Sequence, residues 1–157
     1  MLKYCVQQWD KNKDKLRSAI QQDKNLQDCE YGYLVKLVVN HIFNGNDDEM
    51  ALRWDANSIT EVDNGSYQGT ILWMIPLDTY QPDEGDYLLT FVNYGSCSGC
   101  DTLLHLQSVM VGNKLDDQIV RGFMSLCKDL VCNTIKPYNS GWRNEEIFNS
   151  TEEQPNE

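Results

Sequence analysis

Hydrophobic positions recur at helical intervals through the first forty-five residues, and two helices follow from them. Leu2, Val6, Trp9, Leu16 and Ile20 share a face with lysines between them, which predicts an amphipathic helix over about residues 2–21, weakest at Lys11-Asn12-Lys13. Tyr31, Leu34, Val35, Val38 and Ile42 form a tighter stripe, with Asp28 as its expected cap and Gly45 after Asn44 as its stop. The period then changes. After an acidic loop from Gly45 to Arg53, Ile59–Asp63 and Ser66–Ile75 read as strands around Asn64-Gly65, a pair suited to the two positive-φ positions of a tight hairpin. The unbroken apolar run from Ile71 to Ile75 predicts a central strand or a change of face at Gly69. Pro76, Pro82 and Gly85 interrupt the chain before a third strand, Asp86 to Tyr94. Leu103 to Val111 then predicts a short helix. Ile119, Phe123, Leu126, Leu130 and Val131 predict a longer one, opened by Asp116 or Asp117 and closed by Pro137.

These elements compose an α+β fold: a three-stranded antiparallel meander with two N-terminal and two C-terminal helices packed on it. At 157 residues the chain suits one domain around one core, expected to span 1–143. The polar stretch 144–157 carries five acids and is expected to be a flexible tail. Alternate connections of a meander lie at opposite ends of the sheet, so the segment from Ile75 to Asp86 and the one after Tyr94 are expected to be far apart.

Charge narrows the partners. The formal net charge is −11, and it is unevenly spread: residues 1–40 hold seven Lys or Arg against five acids, the remainder six against nineteen. Contact with nucleic-acid phosphates or an anionic membrane needs clustered cations, so direct nucleic-acid and membrane binding are disfavoured. A basic protein surface is the better electrostatic match, and simple solubility is the plainer use of the same charge. The first residues lack an uninterrupted apolar stretch, and no run approaches the ~18 residues of a membrane span, so a cytoplasmic location is expected. Six cysteines in that setting are expected to be reduced thiols.

Chemistry concentrates at Tyr94, Gly95, Ser96, Cys97, Ser98, Gly99, Cys100, Asp101 and Thr102, where two glycines, two thiols and two serines meet a strand-to-helix junction. Ser98-Gly99-Cys100-Asp101 fits a capping box, which predicts Ser98 as N-cap, Cys100 in the first turn, and free amides able to hold an anion. Cys97-x-x-Cys100 offers a thiol, redox or zinc alternative. It has the strand-to-helix placement of thioredoxin-like proteins, but neither their aromatic residue before the first cysteine nor a later proline-bearing strand. For zinc it supplies two ligands of four, with His105, Cys127 or Cys132 as distant complements. His41 and His105 stand alone among apolar residues, and no catalytic set, cofactor motif or internal repeat is complete. Trp54 and Trp142, beside arginines in loop-like stretches, and Asp78 and Tyr80, between two prolines, are the candidates for contact with a partner. A homo-oligomer would let such loops from different subunits meet.

The order Ile59-Thr60-Glu61-Val62-Asp63, Tyr67-Gln68-Gly69-Thr70, Asp78-Thr79-Tyr80, Asp86-Tyr87 and Tyr94-Gly95-Ser96-Cys97-Ser98-Gly99-Cys100-Asp101-Thr102-Leu103 resembles a group of small uncharacterised bacteriophage proteins. The resemblance covers about residues 55–135. It implies a phage-encoded accessory protein of the host cytoplasm and carries over no activity or catalytic residue. The expectation is therefore a non-enzymatic binder that counters a host or defence activity, by blocking a host protein or by sequestering a nucleotide signal.

Overall fold

The structure, a computed structural model, describes residues 1–136. Trp142, Pro137 and the expected tail 144–157 lie outside the described residues. Four helices and three strands follow the predicted order: α1 (Leu2–Gln22), α2 (Tyr31–Val38), β1 (Thr60–Asp63), β2 (Gly69–Pro76), β3 (Tyr87–Tyr94), α3 (Thr102–Val109) and α4 (Asp117–Cys132). The sheet is an antiparallel meander in the order β1-β2-β3. The fold is α+β, with two helices on each side of the sheet in sequence.

Register explains which sheet face is covered. Trp73 lies opposite Thr90 and Ile75 opposite Leu88, so these four side chains share a face, and all four are buried. Helices α1, α2 and α4 close over that face with Leu16, Ile20, Leu34, Val35, Phe123 and Leu130. The Thr90 hydroxyl donates to the Leu130 carbonyl at 2.6 Å, tying α4 to β3 without leaving a polar atom orphaned. After α4 the chain returns to the sheet, and Ile135 exchanges two 2.8 Å backbone hydrogen bonds with Leu89 at the outer edge of β3. β1 forms the opposite edge.

Several boundaries differ from expectation, each for a local reason. α2 starts after Glu30 rather than at Asp28, and it continues as a π-helical turn, Val39–Phe43. There the Asn44 N–H reaches back five residues to the Val39 carbonyl at 2.8 Å. Asn12, at the weak point of α1, is buried and donates to the Ile42 carbonyl at 2.8 Å, so the polar interruption docks the two helices. α4 is capped by Asp116, whose carboxylate accepts from the Ile119 N–H, and it ends at Cys132 on Asn133 rather than at Pro137.

The β1–β2 connection is not the expected two-residue turn. Neither Asn64 nor Gly65 has positive φ, and paired residues stop at Asp63 and Ile71. Side chains shape a wider loop instead: Asp63 accepts from the Gly65 N–H at 2.9 Å, and Asn64 accepts from the Thr70 N–H at 2.8 Å.

The core's titratable groups make the fold sensitive to alkali. Burial pushes Tyr4 up to about 12 despite a hydrogen bond from Trp54, Cys5 up to about 11 and Cys127 up to about 12. Tyr31 is raised as well, first by burial and then by the neighbouring Asp101 carboxylate. These groups keep their protons longer in the folded chain than in the unfolded one. Their contribution is therefore complete below the unfolded thiol value of 9.0 and the unfolded tyrosine value of 10.0, and it fades as pH climbs through the folded values. Urea unfolding at stepped pH should show stability falling steadily above pH 9.0, with a shallower decline in Tyr4→Phe.

Candidate functional site

The predicted junction is organised by a carboxylate. β3 ends at Tyr94, and the Gly95 N–H donates to one oxygen of Asp101 at 3.0 Å. The other oxygen accepts from the Leu104 N–H and from the Tyr31 hydroxyl, each at 3.0 Å. Tyr31 in turn accepts from the Leu103 N–H at 3.3 Å. Asp101, only 6% exposed, is thus the N-cap of α3 and a tie between β3, α3 and the start of α2.

Two expectations about this segment are corrected. Ser98 is not the cap, and Cys100 precedes the helix rather than lying in its first turn. The cause is the turn itself: the Cys100 N–H bonds the Cys97 carbonyl at 3.1 Å, which commits residues 97–100 to a β-turn and moves the helix start to Asp101. The consequence for an anion is direct. The Leu103 and Leu104 amides are engaged, and a carboxylate already occupies the positive end of the helix.

The turn carries both of its sulfurs outward. Cys97 and Cys100 are exposed thiols with Sγ atoms 2.7 Å apart, and the Cys97 N–H donates to Cys100 Sγ at 3.1 Å. A hydrogen bond from the Cys97 thiol, followed by others from the Cys97 and Ser96 backbone, holds the Cys100 thiol below its ordinary value. Among the described residues no group of three or more His, Cys, Asp and Glu is placed to hold a metal ion. His105, Cys127 and Cys132 therefore do not complete a zinc site with this pair. His41 is half-buried, and burial lowers its value.

A cleft begins on the other side of Asp101. Two adjoining hollows share Cys29, Glu30, Gly32 and Glu61 as common walls, where the start of α2 passes over β1. The outer hollow, about 650 Å³, has Lys24 and Lys36 as well as Asp28. The inner hollow, about 260 Å³, is lined by Glu30, Glu61, Asp63 and Asp101 with Tyr94, Gly95 and Ile71, and it contains no lysine or arginine. Glu61 accepts from Trp73 Nε1 at 2.7 Å, and Asp63 accepts from the Tyr94 hydroxyl at 2.8 Å, so two carboxylates are held in place by rigid aromatic donors. Among the described residues the ion pairs are Lys13–Asp10, Lys15–Asp47 and Arg17–Asp14, all using cations of α1. None neutralises the cleft.

Of the predicted site, Tyr94, Gly95 and Asp101 line this inner hollow, whereas Ser96, Cys97, Ser98, Gly99, Cys100 and Thr102 are exposed outside its lining. Trp54 is a correction: it is 2% exposed, its indole N–H faces the Tyr4 hydroxyl at 3.3 Å, and its backbone bridges Leu77. It is a core residue, drawn inward by Asn44, which accepts from the Trp54 N–H at 2.7 Å. Asp78 and Tyr80 are exposed, Tyr80 by 95%, on the β2–β3 connection at the end of the sheet opposite the cysteine turn, as the alternation of connections requires. Trp142 lies outside the described residues. The residues that sequence reasoning missed are Glu30, Tyr31, Glu61 and Asp63. Glu61 had a signal, a charge alternating with apolar neighbours in a strand; Tyr31 read only as part of an apolar stripe.

Comparison with protein-family models, curated proteins and solved structures returned no match. Among the described residues no helix is long and apolar enough to cross a membrane.

Two glycines of the turn should respond oppositely to alanine. A Cβ on Gly95 would sit 2.6 Å from the Cys100 carbonyl oxygen, whereas one on Gly99 would meet only Cys97 Sγ at 3.9 Å. Urea denaturation should show Gly95→Ala losing about 1–3 kcal/mol to overpacking against backbone. Gly99→Ala should stay within about 0.5 kcal/mol of the parent chain.

Proposed function

We propose that the chain is a phage-encoded, non-enzymatic binding protein that counters a host activity by holding a basic segment of a host protein in the carboxylate-lined cleft. The observation that carries this reading is the inner hollow, lined by four carboxylates with no lysine or arginine and no ion pair among the described residues. A lysine or arginine entering it gains several charge-assisted hydrogen bonds at one place. A unit charge about 4 Å from a carboxylate is attracted by about 4 kcal/mol at the effective dielectric of a protein surface, before desolvation is subtracted. The chain's charge of −11 adds long-range attraction that raises the encounter rate with a basic partner. The phage origin rests on the sequence resemblance over residues 55–135.

The nucleotide-sequestering version is the weaker one. A phosphate approaching the start of α3 would meet Asp101 and amides already bonded to Asp101 and Tyr31. The four carboxylates beside it would repel the same phosphate.

Neutral isosteres test this directly, because Glu30→Gln, Glu61→Gln and Asp63→Asn together remove three charges while keeping acceptors for Trp73 and Tyr94. The immobilised parent chain should retain a basic protein from a bacterial host lysate at about 0.05 M salt and release it at about 0.5 M. The triple variant should retain none. Retention indifferent to both salt and the variant, or a nucleotide found bound to the purified chain, would defeat the proposal.

A further inference from the structure

The binding cleft leaves the two exposed sulfurs of the β3–α3 turn without a role. We propose that Cys97 and Cys100 form a thiol–disulfide exchange site whose substrate is a small organic disulfide. Four observations carry it. The two Sγ atoms are 2.7 Å apart, closer than two sulfurs in ordinary van der Waals contact. The hydrogen bond from the Cys100 N–H to the Cys97 carbonyl fixes the turn so that both side chains leave it side by side. Cys97 and Cys100 are both exposed, and their chain neighbours Ser96, Ser98 and Gly99 are small and exposed too, which leaves a disulfide room to approach. Asp101 clamps Gly95 on one side of the turn and Leu104 on the other, so the backbone is held whether the sulfurs are bonded or not.

The other thiols sharpen the assignment. Cys5 and Cys127 are buried and Cys29 is half-buried, and burial pushes the first to about 11, the second to about 12 and the third to about 11. They stay protonated and out of reach near neutral pH. The Cys100 thiol is instead held below its ordinary value by the Cys97 thiol and nearby backbone N–H groups, which makes it the attacking sulfur.

The exchange balances in two steps. The Cys100 thiolate attacks one sulfur of the disulfide; the substrate's S–S bond breaks, one thiolate leaves and takes a proton from water, and a mixed disulfide forms on Cys100. Cys97 then gives its proton to water and attacks Cys100 Sγ. The mixed disulfide breaks, the second substrate thiolate leaves, and a Cys97–Cys100 bond forms. With the proton that Cys100 gives to water on ionising, and the one the second substrate thiolate takes from water after leaving, the protein loses two electrons and two protons, and the substrate gains both.

Glutathione disulfide serves as the probe, added to the folded 157-residue chain before quenching with iodoacetamide and peptide mass spectrometry. The peptide holding Cys97 and Cys100 should become lighter by two hydrogens, unalkylated, with two glutathiones released per chain. Cys97→Ser should trap glutathione on Cys100. Cys100→Ser should react several-fold more slowly at Cys97. Cys132, an exposed thiol on α4, is the internal reference, and Cys100 should be modified several-fold faster. Circular dichroism confirms that each variant is folded. Reaction at Cys100 no faster than at Cys132, or separate glutathione adducts on Cys97 and Cys100 with no bond between them, would overturn the assignment.

Discussion

One buried carboxylate holds the functional half of this molecule together. Asp101 accepts hydrogen bonds from the end of β3, the first turn of α3 and the tyrosine that opens α2. Such bonds to an ionised acceptor are worth roughly 1.5–3 kcal/mol each, about twice a neutral one. More important is what they align. Tyr31 brings Glu30 to the rim of the cleft, Gly95 brings Tyr94 against Asp63, and the turn between Gly95 and Asp101 holds the two sulfurs outward. Cleft and dithiol are two sides of the same knot.

Charge distribution repeats that division of labour. Three cations of α1, Lys13, Lys15 and Arg17, are paired locally with Asp10, Asp47 and Asp14. The acids on β1, Glu61 and Asp63, find neutral donors instead, an indole and a phenol that orient a carboxylate without cancelling it. A carboxylate fixed by a neutral donor keeps its full field for whatever enters. An ordinary acidic surface has floppy, solvent-screened side chains; this cleft has anchored ones in a concavity.

The meander was legible because Ile71–Ile75 is too continuous for an exposed strand, and because Pro76 and Gly85 punctuate it on one side. The helices were legible from their stripes, and the start of α4 from Asp116-Asp117, of which Asp116 is the cap. Competing local signals misled elsewhere. Ser98 fits a cap by its spacing to Asp101, but the backbone bond between Cys97 and Cys100 holds the segment in a turn and leaves Asp101 itself as the cap. Asn64-Gly65 looked like a tight turn, but Asp63 and Asn64 bond the loop backbone through their side chains and widen it. Trp54 sat in a polar stretch and is buried by contacts with Tyr4 and Leu77, on elements distant in sequence. The cleft was invisible for the same reason. Glu30, Glu61 and Asp101 are far apart along the chain, and only the passage of α2 over β1 makes them neighbours.

The widened turn at Val39–Phe43 has a meaning of its own. Each residue of an α-helix advances the face by about 100°, so one extra residue accommodated in a π turn preserves the facing of everything before and after it. At the end of that turn the Ile42 carbonyl takes the Gly45 N–H at 3.4 Å and is met as well, at 2.8 Å, by an amide thirty residues earlier, on Asn12. The two positions act as one packing unit: the widened turn sets a carbonyl opposite α1, and that carbonyl is the reason a polar side chain sits in the middle of an otherwise apolar helix face.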